Sequence, residues 1–228
     1  MRLISWNCSR AYGIKAEHIL KFNPDIAIIP ECAKIGENTQ KRLWFGDKNG
    51  IGIFSYSNYN LELLSIHNPT FKYVIPIKVT DKTSFNLLAV WTKNDENMNK
   101  AYIGQLWSAI NYYNDILAEP TIIMGDFNWD KKIDDKYKLP IGIIKVSNYL
   151  KAINIESAYH KHFNQKYGEE TKPTEFHTKN FNKTYHVDYC FASKDFLNKL
   201  RNFKVGEYED WIKYSDHMPI IVDFEDKI

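Results

Sequence analysis

"TIIMGDFNWD", Thr121 to Asp130, decides how this chain is read. Four residues with the apolar character of a buried strand run directly into Gly125-Asp126-Phe127-Asn128. Gly, Asp and Asn are turn formers, so a plain turn after the strand accounts for the stretch by itself. A carboxylate and an amide at the tip of a core strand gain meaning only if other polar side chains meet them there. A buried carboxylate is costly unless it is paired or bound to a cation. The search for partners runs outward from this point.

Short apolar runs at residues 3–6, 26–30, 50–55, 61–65, 74–79, 85–91, 121–124, 185–192 and 219–224 read as strands. Some alternate, as in "VIPIKVT"; others are continuous, as in "IAII" and "TIIM", which suits strands covered on both faces. Helices are expected at residues 98–117, with Asn97 or Asn99 as cap, at 15–22, and more briefly at 147–153 and 193–201. Residues 92–99, 130–139 and 165–183 read as loops. Strands outnumber helices about twofold, which predicts two sheets with helices outside rather than one doubly wound sheet. No linker or low-complexity segment divides the chain, so residues 1–228 are read as one α/β domain.

Hydrophobic residues make up 44% and charged residues 25%, a balance that supports a sizeable core. The net charge of +2 is too small to argue for nucleic acid by itself. Three cysteines, Cys8, Cys32 and Cys190, lie in or beside apolar runs with no short spacing. That argues against a disulfide framework or a zinc cluster and for buried thiols in a reducing compartment. No apolar run approaches a membrane span, and "MRLISWN" is too short and polar for a signal peptide, so a cytoplasmic protein with no membrane partner is expected.

Partners for Asp126 and Asn128 stand at other strand ends. "ISWN" ends in Asn7, "IIPE" ends in Glu31, "YHVDYCFAS" is interrupted by Asp188, and "YSDHMPIIVDF" places Asp216 and His217 before the last strand. Each alone fits a cap, a turn or a solvated strand end. Together, four carboxylates at the ends of core strands call for a cation among them. The donors are oxygens without a Cys or multiple-His spacing, so Mg²⁺ or Mn²⁺ fits and Zn²⁺ does not. Mg²⁺ keeps waters and binds substrate phosphates, which points to phosphate-ester chemistry. His160 and His162 alternate but have no third ligand nearby and read as an exposed loop, and "DKKIDDKYK" reads as a solvated charge run. Within it, Lys131 and Lys132 follow the turn closely enough to reach a substrate phosphate.

The order WN, PE, GDFN, HVDY, SDH resembles the endonuclease/exonuclease/phosphatase superfamily, which includes exonuclease III-like and DNase I-like enzymes. The match runs from Asn7 to His217. The resemblance implies a four-layer sandwich: two mixed β-sheets packed face to face and flanked by helices. It implies Glu31 as the principal metal ligand, with Asp216 and Asn7 beside it. Asp126 would take a proton from, or orient, an attacking water, and Asn128 would hold Asp126 and the phosphate. His217 would donate to a phosphoryl oxygen, with Asp188 fixing its tautomer. Trp91, Asn94 and His186 fall at positions that line the substrate in the family. Departures are Pro30 where Gln is frequent, Ser9 where abasic-site enzymes carry an acid, and Trp91 where Tyr or His contacts phosphate. The expected activity is divalent-metal-dependent phosphodiester hydrolysis, foremost of nucleic acid, by a monomer with no obligate protein partner. Hydrolysis of a small phosphoester is the alternative, and a silent binding module on the same scaffold the third.

Overall fold

The computed structural model describes residues 1–96 and 101–225. The expected helix start at Met98 and both expected caps, Asn97 and Asn99, lie outside the described residues. The first sheet is built from β1 (Arg2–Ser5), β2 (Ile26–Cys32), β3 (Arg42–Gly46), β4 (Gly50–Ser55), β13 (Leu200–Val205) and β14 (Ile220–Phe224). Its order is β13-β14-β1-β2-β4-β3, with β1 and β2 parallel and the other pairs antiparallel. The second contains β5 (Asn60–Leu63), β6 (Val74–Thr80), β7 (Ser84–Trp91), β8 (Thr121–Asp126), β9 (Ile155–Ser157) and β12 (Asp188–Ser193). Its order is β5-β6-β7-β8-β12-β9, with only β7 and β8 parallel. Both sheets are therefore mixed. A small hairpin of β10 (Glu175–Phe176) and β11 (Thr184–Tyr185) stands apart.

The continuous apolar runs exist because the inner strands are covered twice. On β8, Ile122 and Met124 join the core between the sheets, whereas Ile123 joins a second core beneath α2 (Ile103–Tyr112), α3 (Asn114–Leu117) and α5 (Ile143–Ala152). On β7 and β12 the same alternation sends Leu87, Ala89, Trp91, Cys190 and Ala192 inward and Leu88, Val90, Tyr189 and Phe191 outward. The far side of the first sheet is covered by α1 (Tyr12–Leu20), which contributes Tyr12 and Ile19, and by Trp211 of α8 (Tyr208–Trp211). The layers run helix, sheet, sheet, helix, as the expected sandwich requires. All three cysteines are free and buried. No helix among the described residues is long and apolar enough to cross a membrane.

Several sequence expectations need correction. Residues 131–137, read as part of a loop, form α4 (Lys131–Tyr137), because Asp130 caps it by accepting from Ile133 N–H at 2.9 Å. His160 and His162 sit on α6 (Ala158–Phe163), not a loop; His160 Nε2 lies 3.0 Å from the Glu170 carboxylate. The segment 193–201 splits into α7 (Lys194–Leu197) and the start of edge strand β13, whose polar, exposed side chains hide its period. Strand β3 was not expected at all, since Arg42-Leu-Trp-Phe-Gly46 has only one fully buried position.

The end of β8 depends on Gly125. Its φ is +149°, and an added Cβ would lie 1.9 Å from the carbonyl oxygen of Val90, its register partner on β7. Any side chain there pushes the two strands apart beneath Asp126. Gly125→Ala is expected to destabilise the fold by about 3 kcal/mol or more, read by urea denaturation. A loss below about 1 kcal/mol would show that the strand end relaxes freely.

Candidate active site

The two sheets bring their strand ends together at one edge. Asn7 follows β1, Glu31 lies in β2, Asp126 ends β8 and Asp188 opens β12, directly opposite Asp126 in register. Asp126 and Asp188 share parity with the inward-facing residues of their strands, so both side chains enter the gap between the sheets.

Glu31 is aimed by a bulge. Ile29 pairs with Gly52 and Cys32 with Gly50, so Pro30 and Glu31 together oppose Ile51. Pro30 offers no N–H to the ladder, and Glu31 takes a left-handed φ of +55°. A bulge of this kind re-aims one side chain, here the half-buried carboxylate that meets the Asn7 amide at 3.3 Å. Pro30 thus sits at the bulge.

Asp126 is fully buried and surrounded by donors. Asn7 Nδ2 and Asn128 Nδ2 each donate to Oδ2 at 2.9 Å, and Asn128 N–H donates to Oδ1 at 2.8 Å. Asn128 adopts φ +49°, a conformation Asn tolerates better than most residues, and its amide also donates to Thr92 O at 2.9 Å. Burial pushes the Asp126 carboxyl up to about 8; His217 and the amide donors pull the other way without cancelling it.

His217 is held on every side. Its Nδ1 lies 2.9 Å from Asp188 Oδ2, its N–H donates to Ser215 Oγ at 3.1 Å, and its carbonyl accepts from Trp6 Nε1 at 3.0 Å. Ser215 Oγ in turn donates to Asn7 O at 2.7 Å, which ties the His217 turn to β1. Asp188 is positioned through its backbone N–H, which donates to Thr174 Oγ1 at 3.0 Å. With Nδ1 engaged, Nε2 is the ring nitrogen left for substrate. Burial, the largest single influence, pulls the imidazole down, but Asp188 and Asp126 outweigh it and hold the ring cationic well above its usual range. Glu175, bridged to His217 at the start of the hairpin, adds to that field.

Ligand atoms of Asp126, Asp188 and His217 lie within 4.8 Å of one another, so these three offer one set of donors for a cation. Glu31 could hold a cation as well, and the carboxylates differ in how far they are already engaged. Asp126 already accepts three N–H groups, and His217 Nδ1 is engaged by Asp188. The Glu31 carboxylate accepts the Asn7 amide, its one hydrogen-bond partner among the described residues, and is half-buried. Asp216 is half-buried and acts together with Glu31 on the ammonium of Lys15. Hard oxygen donors of this kind fit Mg²⁺ or Mn²⁺.

The remaining expected residues fall in different places. Asn94 is exposed and lines a groove of about 730 Å³ that begins at Asn128. Trp91 is register-paired with Asp126 but buried, packed on Tyr73 at 4.8 Å between ring centroids. Lys131 turns to Asp135 on its own helix, and it is Lys132 that lines the groove. His186 is not brought to the site: its ring packs on Tyr159 at 4.3 Å and its Nδ1 meets Lys172 O at 2.9 Å. Burial pushes His186 down to about 4, so it is neutral. Residues 186 and 187 form the break between β11 and β12, so strand alternation does not carry His186 to the side of Asp188 that faces His217. Ser215, Thr92, Thr174 and Glu175 escaped sequence reasoning, since single hydroxyls and an acid within an apparent loop carry no pattern.

Many solved structures share this architecture. A 3′–5′ exonuclease from Neisseria meningitidis superposes with a TM-score of 0.72 at 18% identity, covering 99% of this chain and 100% of that one. An AP endonuclease from Archaeoglobus fulgidus gives 0.72 at 14% identity, covering 99% and 100%. The endonuclease domain of TRAS1, a telomere-specific non-LTR retrotransposon, gives 0.65 at 16% identity, covering 98% and 97%. No family model matches the sequence. No curated protein matches it at a significant level either. At these identities the likeness establishes the fold alone, a DNase I-like pair of mixed sheets packed between helices.

The titrations have a defined sign in metal-free protein. Asp126 has a folded pKa near 8 against about 3.9 unfolded, so its contribution to stability is full below about pH 4 and lost as pH rises through 8. His217, also raised, contributes fully below about pH 6.5 and loses that contribution as pH rises through its folded value. In EDTA the unfolding free energy should therefore carry a downward slope between about pH 5 and pH 8 from these groups. Asp126→Asn should remove much of that slope, whatever its effect on absolute stability. A variant curve parallel to wild type in urea titrations would contradict the assignment.

Proposed function

We propose that this chain is a divalent-metal-dependent phosphodiesterase acting on nucleic acid. The observation that carries the nuclease reading is the groove running from Asn128. It is lined by Lys132, Lys136 and Lys183 and by the rings of Tyr102, Trp129, Tyr137 and Tyr185. Ammonium groups beside aromatic faces suit phosphates beside bases, and base stacking tolerates any sequence. A groove of this size, on the same face as Asn128, accommodates a chain better than an isolated small phosphoester. The kinship in fold with enzymes named as an exonuclease and endonucleases supports the same reading.

Asp126 accepts the proton of the attacking water. Its raised pKa matches a base working near neutral pH, and beside a bound cation it ionises more readily. Asn7 and Asn128 hold its oxygens, so its lone pairs point along a fixed direction. His217, kept cationic by Asp188, donates from Nε2 to a phosphoryl oxygen as negative charge builds there. Glu31, with Asp216 and Asn7, would hold Mg²⁺ or Mn²⁺, which supplies charge neutralisation at the phosphate. Lys132 and Asn94 hold the chain beyond the scissile phosphate.

The test is a substrate panel of plasmid, single-stranded DNA, RNA, abasic duplex and an aryl phosphodiester, each with Mg²⁺, Mn²⁺ or EDTA. Turnover of at least one polynucleotide should require metal. Asp126→Asn and His217→Ala should each lower kcat by about two orders of magnitude or more in folded protein. Full turnover in either variant would overturn its assigned role, and metal-independent cleavage would overturn the reading as a whole.

A further inference from the structure

Lys93 stands out among the lysines near the site. Lys15 is saturated: its ammonium donates to Cys8 O at 2.5 Å, Tyr214 O at 2.7 Å and Ser9 O at 3.3 Å. Lys72 pairs with Asp47, Lys131 with Asp135, and Lys132 donates to Thr184 O at 2.9 Å. The Lys93 ammonium has no oxygen partner among the described residues. It rests instead on two aromatic faces, 4.5 Å from the Trp91 ring centroid and 5.2 Å from that of Tyr73. Ring faces attract a cation without offering it an oxygen acceptor, so N–H donors remain for an anion.

Its place is fixed by backbone. Lys93 N–H donates to Gln105 Oε1 at 3.0 Å, and its carbonyl accepts from Tyr102 N–H at 2.7 Å. The preceding residue is clamped to the site, because Thr92 N–H donates to Asp126 O at 3.0 Å and Thr92 O accepts from the Asn128 amide. Trp91 is the register partner of Asp126 on the adjacent strand and faces the same gap between the sheets. Adjacent strands lie about 4.8 Å apart. Lys93 therefore follows the strand that neighbours Asp126, two residues beyond the register partner of Asp126.

We propose that Lys93, seated on Trp91 and Tyr73, binds a backbone phosphate of the polynucleotide adjacent to the one presented to Asp126. This rests on the nuclease reading and extends it to a contact outside the groove that begins at Asn128. The aromatic seat replaces a carboxylate partner, which would compete with the phosphate. It also restrains the lysine stem before substrate arrives.

The test is binding of a nuclease-resistant phosphorothioate oligonucleotide in EDTA, followed by fluorescence anisotropy across a salt series. Wild type, Lys93→Met and Lys93→Arg are compared. Lys93→Met keeps an apolar stem on the rings and removes one charge. It should weaken binding severalfold and reduce the slope of log K against log salt by about 0.7 to 0.9, the value for one phosphate contact. Lys93→Arg should keep the wild-type slope. Lys93→Gln serves if the methionine variant melts early by circular dichroism. An unchanged affinity and slope in the neutral variant, or no binding by wild type, would overturn the proposal. Turnover of any member of the substrate panel by wild type with Mg²⁺ reads the phosphodiesterase assignment separately. Its absence would sink that assignment while the salt series still decides Lys93.

Discussion

One amide group joins the two halves of this molecule at the point where its chemistry lies. Asn7 Nδ2 donates to Asp126 at the end of the second sheet and to Glu31 in the bulge of the first. Both acceptors want the same donor, so the amide fixes the separation of two carboxylates that would otherwise repel. Around it the other contacts fall into place. Asn128 holds Asp126 from the far side, and Ser215 ties the Asn7 backbone to the turn that carries His217. A packed pair of sheets supplies the rigidity that a loop could not, since interiors of this density do not deform continuously.

Holding such a site departs from relaxed backbone geometry in several places. Glu31 and Asn128 both take left-handed φ, as do Ser9, Arg10 and Ala11 in the turn after Asn7. Gly125 is extended in a region open only to glycine, with Val90 pressed against it. For a residue such as Glu31 the left-handed conformation is unfavourable by about 1–3 kcal/mol, and it persists only where its surroundings over-determine it. Here the surroundings are two continuous apolar cores, on which the edge where Asp126, Asp188 and His217 meet is built. Asp188 holds His217 through Oδ2, and its buried Oδ1 has no hydrogen-bond partner among the described residues.

The layers and the polar strand ends were legible in the sequence because both leave a local signature. Continuous runs such as "IAII" and "TIIM" announce strands covered twice, and an acid or amide at the tip of such a run is out of place unless it has a task. What was not legible is set by neighbours distant in sequence. His186 and Asp188 are two residues apart, yet the short break between β11 and β12 sends one ring onto Tyr159 and leaves the other's carboxylate on His217. The edge strands β3 and β13 escaped because only part of each is covered. Lys132 rather than Lys131 reaches the groove because Asp130 starts a helix there and rotates the two lysines apart. The aromatic seat of Lys93 joins Trp91 to Tyr73 across paired strands, a contact that spacing along the chain does not encode.

The account depends on where a cation sits, and anomalous diffraction from crystals grown with Mn²⁺ measures that directly. A single strong peak about 2.1 Å from a Glu31 carboxylate oxygen, with Asp126 and His217 free of it, is the predicted result. A peak enclosed by Asp126, Asp188 and His217, or no peak at this edge of the sheets, would contradict the division between metal-holding and proton-handling residues.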